Sequence, residues 1–184
     1  MRDVVWSVAH PSISGAERCL LQQTDAGWRL SGQVVASYDK RPLDVRYDVE
    51  LDSGWLTRTV LVHADRLTRP RGLELVRESD GRWKVDGSRR PDLDGCTDVD
   101  LGISPSTNTL PIRRLHLDVG QEASVQVAWV RFPELQVDPG WQRYRPIATN
   151  LWRYSSDGFT AELAVDEDGL VVTYGNDLWR MVTR

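Results

Sequence analysis

The feature that most constrains the fold is a hydrophobic period of two, which recurs along nearly the whole chain. Residues 43–52 read LDVRYDVELD, so apolar side chains alternate with charged ones. Successive side chains of a β-strand point to opposite faces, and this segment therefore predicts a strand with one buried and one solvated face. A sustained helical stripe is found in no window of the sequence.

Turn signals separate the alternating segments. Asp52-Ser53-Gly54, Asp80-Gly81 and residues 166–169 each lie between two such segments and predict hairpins. Short strands at regular spacing predict an all-β fold, and 184 residues point to one domain over residues 1–184. The remaining predicted strands are residues 15–23, 55–64, 73–79, 82–85, 123–131, 150–155, 159–165, 170–174 and 178–183.

The charge composition argues against two classes of partner. The net charge is −4 and the pI is about 5.4, whereas a protein that binds nucleic acid electrostatically is normally basic. The longest uncharged stretch, residues 4–16, is too short and too polar to span a membrane. The N-terminus carries no apolar export segment, so we expect a cytoplasmic protein. The oligomeric state is left open.

One stretch, residues 86–115, breaks the alternating pattern. It is rich in Gly, Pro, Ser, Thr, Asn and Asp and keeps only one short alternating core, at residues 96–101. Long irregular connections inside compact domains are usually functional or mobile. Within it, Leu110-Pro111-Ile112 predicts extended backbone, because proline disfavours helical geometry in the residue before it. In a strand, Arg113 and Arg114 would point to opposite faces.

Two carboxylates in this stretch are candidates for chemistry. Asp98 and Asp100 lie two apart in a predicted strand and therefore point to the same face. A pair of carboxylates is what a hydrolase acting on a sugar requires, because one serves as acid and the other as base or nucleophile. The alternative, which we favour, is a solvated strand face or ion pairs with Arg113 and Arg114.

Metal and cofactor sites are not predicted. His10, His63 and His116 show no metal-ligand spacing with one another, and Cys19 and Cys96 lack a neighbouring partner cysteine. The two cysteines are expected to be reduced thiols. The sequence also contains neither a phosphate-binding glycine loop nor a nucleophile elbow.

A set of motifs in this stretch and outside it forms a recognisable pattern. The motifs are Gly95-Cys96-x-Asp98-Val99-Asp100-Leu101, Ser104-Pro105-x-Thr107-Asn108-Thr109-Leu110-Pro111-Ile112-Arg113-Arg114-Leu115, and, outside this run, Gly15-x-Glu17, Trp83-x-x-Asp86-Gly87, Gln142-x-Tyr144, Asp168-Gly169-Leu170-Val171 and Tyr174. The pattern resembles the signature of the putative glycolipid-binding proteins of bacteria. The resemblance implies an all-β, antiparallel spiral β-roll or open barrel around a cavity, similar in architecture to the lipoprotein carriers of the bacterial envelope. It implies a lipid or glycolipid as the bound partner.

From the residues and the resemblance together we expect a non-enzymatic protein that binds a lipid or glycolipid in a concave apolar cavity with a polar end. Eight Trp against two Phe suit a cavity wall, since Trp rings are large and amphipathic. The alternatives are a hydrolase or lyase acting on a sugar or lipid head group through Asp98 and Asp100, and a structural module without a cavity. The predicted ligand-binding residues, with no cofactor or metal, are Trp55, Asp98, Asp100, Asn108, Arg113, Gln142 and Tyr144.

Overall fold

A computed structural model describes residues 1–66, 69–176 and 178–183. It contains fifteen strands, one short α-helix and two 3-10 turns. The strands are β1 (Arg2–His10), β2 (Ile13–Thr24), β3 (Gly27–Tyr38), β4 (Arg41–Asp52), β5 (Thr57–Arg66), β6 (Arg69–Arg77), β7 (Trp83–Val85), β8 (Ser88–Arg89), β9 (Asp98–Leu101), β10 (Ala123–Arg131), β11 (Gln136–Ala148), β12 (Leu151–Ser156), β13 (Phe159–Val165), β14 (Val171–Tyr174) and β15 (Trp179–Thr183); the helix is α1 (Thr109–Leu115), and the 3-10 turns are Pro91–Leu93 and Ser106–Asn108.

All fifteen strands belong to one sheet, in the order β8-β7-β6-β5-β4-β3-β2-β1-β15-β14-β13-β12-β11-β10-β9. Neighbours in this order pair antiparallel except β9 and β10, which run parallel. A parallel pair requires a crossover connection, and residues 102–122, with α1 among them, supply it. The sheet is open at β8 and β9, which confirms the predicted all-β spiral roll.

The predicted alternation is confirmed most clearly in β4. Leu43, Val45, Tyr47, Val49 and Leu51 are all buried, and the residues between them face outward. Inward-facing side chains of this kind from β1 to β7 form one large apolar cluster on the concave side of the sheet. In the described part of the chain, no helix is long and apolar enough to cross a membrane.

The end of the sheet is rolled inside the structure. Val99 and Leu101 of β9 pack into the large cluster, and the neighbouring strand β10 adds Val127 to a second cluster on its other face. The start of β5 anchors this end: Thr57 donates its backbone N–H to the Thr97 carbonyl at 3.3 Å, and Val99 N–H donates to Thr57 Oγ1 at 3.0 Å. Strand β9 is therefore covered on both faces, which explains why Asp98 is buried and Asp100 is only partly exposed.

The extended backbone predicted around Pro111 was wrong. Pro111 lies in the first turn of α1, and both arginines follow it in the same helix. The first four N–H groups of a helix have no intrahelical partner, so a proline there removes no hydrogen bond. Tertiary packing favours the helix, because Leu110 enters the large cluster and Ile112 the second one.

The hairpin between β4 and β5 is longer than predicted. The Asp52 carboxylate accepts the N–H groups of Gly54 at 2.9 Å and Leu56 at 3.0 Å, so the turn continues to residue 56. Trp55 has a positive φ of 67° within this turn and is not the first residue of the strand. Side-chain hydrogen bonding by aspartate, which competes with strand pairing, accounts for the later start of β5.

Candidate functional site

A cleft opens where the crossover after β9 meets the ends of β10, β12, β13 and β14. Its volume is about 280 Å³. Its lining is mainly aromatic and polar, in contrast to the apolar cavity with one polar end that the sequence led us to expect. The lining residues are Asp100, Leu101, Gly102, Ser104, Pro105, Asn108, Trp129, Tyr154, Ser156, Asp157, Phe159, Tyr174, Leu178 and Trp179.

A relay of hydrogen bonds holds Asp100 at this cleft. Asn108 Nδ2 donates to the Tyr144 hydroxyl at 2.9 Å, and that hydroxyl donates to Gln142 Oε1 at 3.0 Å. Gln142 Nε2 then donates to Asp100 Oδ2 at 2.7 Å. Every donor in the relay points toward the carboxylate, so the arrangement fixes the position of Asp100 and leaves it as an acceptor. Four of the seven predicted residues are therefore joined in one network.

The environment of Asp100 changes its acidity. Burial raises the pKa of this carboxyl to about 6, and the hydrogen bonds from Gln142 and Thr107 offset part of that effect. Thr107 contributes weakly, since its Oγ1 lies 3.4 Å from Asp100 Oδ1. At neutral pH the group is mostly ionised, with one oxygen well bonded and the other able to accept from a ligand.

One wall of the cleft is a set of packed aromatic rings. The ring centroid of Tyr154 lies 6.3 Å from that of Phe159 and 6.1 Å from that of Tyr174, and Phe159 stacks on Tyr174 at 6.3 Å. Behind them, Tyr144 meets Tyr154 edge to face at 5.3 Å. Such mutual packing restricts ring motion, so the wall is a preformed surface of rings, in which Phe159 and Tyr174 are near parallel and Tyr154 is inclined to both by about 60°.

The opposite side of the cleft depends on a close approach at Gly102. A methyl group at this position would lie 2.7 Å from Trp129 Nε1 and 3.2 Å from the Val130 carbonyl oxygen. Only glycine therefore lets the crossover pass so near the Trp129 indole. Arg131 stacks on that indole, with its guanidinium carbon 4.2 Å from the ring centroid, and also pairs with Asp138 at 3.2 Å.

A second cleft adjoins the first. Its volume is about 770 Å³, and it shares Phe159, Tyr174 and Leu178 with the first. It lies between the ends of β1 and β13 and the turn after β14, with Ala9, Arg153 and Glu162 also in its lining. The two clefts therefore share a partly apolar boundary formed by these three side chains.

Asp98 is held apart from Asp100. Its side chain is 1% exposed and forms a two-pronged ion pair with Arg114, which also donates to Thr97 Oγ1 at 3.0 Å. This is the ion pair that the alternative interpretation of the sequence named. Asp98 therefore faces α1, whereas Asp100 faces Gln142 and the cleft.

Trp55 and Arg113 lie together, away from the other predicted residues. The Arg113 guanidinium carbon is 5.1 Å from the centroid of a Trp55 ring, and Trp55 stacks on Trp28 with centroids 4.7 Å apart. Neither Trp55 nor Arg113 lines the first cleft. Their contacts attach α1 to the turn between β4 and β5.

A buried carboxylate that is not among the predicted ligand-binding residues lies beneath the crossover. Glu17 accepts hydrogen bonds from Tyr47 and from Ser104 Oγ, the latter at 2.6 Å. The Tyr47 hydroxyl, which donates its one proton to Glu17, can accept from Ser106 Oγ at 2.9 Å. Its second oxygen, Oε2, has no hydrogen-bond partner in the described structure. Burial raises the pKa of Glu17 to about 8, against the opposing effect of these hydrogen bonds.

The alternating pattern of the sequence indicates both Glu17 and the aromatic wall, although neither was predicted as part of the site. Glu17 occupies the same strand face as buried Cys19 and Leu21, so a carboxylate stands where the pattern calls for an apolar side chain. Such a position indicates a buried polar contact. Similarly, Tyr154 and Phe159 lie on the same face of two adjacent strands, which marks an aromatic surface.

Comparisons with known proteins agree on one family. A sequence profile of the family described as "Putative glycolipid-binding" matches residues 3–180. Among solved structures, the chain is similar to a DUF1089 family protein from Pseudomonas aeruginosa, with 31% sequence identity, a TM-score of 0.77 and 92% of each chain covered. The search of curated proteins found no match. Because the profile spans nearly the whole chain and the structural neighbour shares the fold, the protein belongs to the family described as putative glycolipid-binding.

Proposed function

We propose that this protein binds the sugar head group of a glycolipid in the first cleft. The observation that carries the proposal is the placement of Asp100, held by Gln142 and facing a wall of packed aromatic rings. Sugar rings combine apolar C–H faces with hydroxyl donors, and they suit aromatic side chains beside a fixed acceptor. Pockets for whole ligands commonly measure roughly 300–1,000 Å³. A cleft of about 280 Å³ therefore suits one sugar ring, not an entire glycolipid.

The remainder of the ligand would extend past Phe159 and Leu178 into the second cleft. That cleft is larger, at about 770 Å³, and it shares these two side chains with the first. Phe159 is 48% exposed, so an alkyl chain lying against it would remove apolar surface from water. Burial of this kind contributes about 0.8 kcal/mol per methylene group.

Binding without catalysis is the function that the geometry supports best. A hydrolase or lyase acting through Asp98 and Asp100 requires both carboxylates to reach the substrate. Asp98 is instead paired with Arg114 in the interior. A purely structural module would need no space at this position, whereas the cleft is several times the roughly 30 Å³ that one water occupies.

The experiment compares two amphiphiles with the same alkyl chain. n-Octyl β-D-glucopyranoside and tetraethylene glycol monooctyl ether are titrated as monomers into the protein, and binding is followed by calorimetry and tryptophan fluorescence. We expect the glucoside to bind at least tenfold more tightly. Equal affinity, or failure of the glucoside to bind, would contradict the proposal.

Two variants locate the binding. Phe159→Ala should weaken glucoside binding several-fold, because it removes part of the aromatic wall. Leu61→Ala on β5 is the matched control, since Leu61 is similarly exposed, at 43%, and lies outside both clefts. If the two variants bind alike, the ligand lies elsewhere.

A further inference from the structure

The first cleft has a one-sided electrostatic character. Asp100 and Asp157 both line it, and among its described lining residues none is Lys, Arg or His. The nearby Arg131 lies over the Trp129 ring and is paired with Asp138, and it is not a lining residue. The permanent charges that line the cleft are therefore negative.

Two fixed oxygens at the cleft, Asp100 Oδ1 and Asn108 Oδ1, can act only as acceptors when Asp100 is ionised. Asp100 Oδ2 receives the Gln142 amide, and its Oδ1 has only the long contact from Thr107 at 3.4 Å. Asn108 Nδ2 donates to the Tyr144 hydroxyl, and the side-chain oxygen Oδ1 of Asn108 has no hydrogen-bond partner among the described residues. A ligand group that contacts these two oxygens must therefore donate hydrogen bonds to them. Hydroxyl groups donate, whereas phosphate, sulfate and carboxylate groups accept.

An anionic group placed here would meet two penalties. It would be repelled by Asp100, since like charges in a partly desolvated site interact strongly. It would also lose its hydration without gaining the Arg or Lys partner that protein sites for phosphate and carboxylate groups normally supply. Building such repulsion into a site is a general route to specificity.

Resting on the proposed function, we infer that the cleft selects an uncharged, hydroxyl-bearing sugar ring and rejects head groups that carry phosphate, sulfate or carboxylate. Asp100 is the residue that sets this selectivity. The aromatic wall contributes affinity to neutral and anionic rings alike, so the discrimination depends on the carboxylate.

The test uses a matched pair of ligands that differ in one group. n-Octyl β-D-glucopyranoside carries a hydroxymethyl group where n-octyl β-D-glucuronide carries a carboxylate, and the ring and alkyl chain are the same. At about pH 7.5 we expect the glucuronide to bind at least tenfold more weakly, which corresponds to about 1.4 kcal/mol. Asp100→Asn keeps the acceptor for Gln142 and should reduce this ratio to below about threefold. Asp65→Asn, at an exposed acid of β5, alters the net charge equally and should leave the ratio unchanged.

Acidification provides a second readout on the unaltered protein. At about pH 5, below the pKa of Asp100, the ratio should shrink while the glucuronide stays ionised. The titratable groups around Asp100 are the phenols of Tyr144, Tyr154 and Tyr174, whose raised pKa values keep them neutral, together with Asp157 and the Asp98–Arg114 ion pair. Asp157 lines the same cleft as a second acidic side chain.

The outcomes separate the two proposals. If both ligands bind equally at about pH 7.5, or if Asp100→Asn leaves the ratio of their affinities unchanged, the inferred selectivity is wrong. The proposed sugar site is not contradicted by either result. If neither ligand binds, the sugar site itself is wrong and the inference fails with it.

Discussion

The buried Glu17 carboxyl should make the folded state less stable as the pH rises. Its pKa lies at about 8 in the folded protein and at about 4.5 in an unfolded chain. The folded state therefore binds more protons than the unfolded state between these values, and stability falls with increasing pH across that window. The stability that the folded state gains from binding this proton is fully present below pH 4.5 and is lost as the pH rises through 8.

The magnitude follows from the two pKa values. A change of one pKa unit corresponds to about 1.4 kcal/mol, so Glu17 alone should cost the folded state about 3–4 kcal/mol between pH 5 and pH 8. This is a large fraction of a typical folding free energy of about 5–15 kcal/mol. The cost arises from burial, because Oε2 gains no hydrogen bond that would replace its hydration.

The assay is urea unfolding of the wild type and Glu17→Gln at a series of pH values between about 5 and 8. Glutamine retains an oxygen that accepts from Tyr47 and Ser104 but cannot ionise. The two proteins should have similar free energies of unfolding at about pH 5, and the variant should be the more stable by about 3–4 kcal/mol at pH 8. The difference between them removes the contributions of all other titrating groups. Glu50→Gln, at an exposed residue of β4, is the control and should parallel the wild type.

A stability difference that does not change with pH would refute this reasoning. It would mean that Glu17 is ionised in both the folded and the unfolded state. An infrared band of a protonated carboxyl, present in the wild type at neutral pH and absent from Glu17→Gln, provides an independent check on the same conclusion.

Two further predictions concern a buried ion pair and a close contact in the core. Arg114→Met leaves the Asp98 charge buried and unpaired, and it should lower the free energy of unfolding by about 3–5 kcal/mol in urea unfolding. Adding Asp98→Asn to that variant should recover part of the loss. If the effects of the two substitutions are fully additive, the two side chains are not coupled. Gly32→Ala would place a methyl group against the Tyr47 phenol and should lower the free energy of unfolding by about 3 kcal/mol or more. Gly72→Ala is the control, because its methyl would lie 3.7 Å from His63 Nδ1 and should be tolerated. Equal thermal stability of the two variants would contradict the close approach of Tyr47 to Gly32.

Strand positions and turns were largely predictable from the sequence. The alternation in residues 43–52 was confirmed by β4, and Asp80-Gly81 lies in the connection between β6 and β7 as expected. These features depend on neighbours along the chain: side-chain direction alternates at every residue, and the turn residues set the local backbone. The family resemblance correctly anticipated the open roll.

The region around Pro111 was not predictable in the same way. Its local sequence suggested extended backbone, and packing of Leu110 and Ile112 into two separate clusters produced a helix instead. The two aspartates show the same limit. Asp98 and Asp100 have equivalent positions in the alternation, yet one contacts Arg114 and the other Gln142. Partners 16 and 42 residues away along the chain decide their roles.

The sequence by itself determined the all-β class, the approximate strand positions and the run of polar residues on which the candidate site depends. Those properties follow from local chemistry, in which each residue type has its own preference for burial and backbone geometry. Only the tertiary structure decided that Asp100 faces an aromatic cleft, that Trp55 and Arg113 lie elsewhere and that Glu17 is buried. These outcomes depend on how the end of the sheet rolls inside, since long-range packing sets which side chains meet and which lose their water.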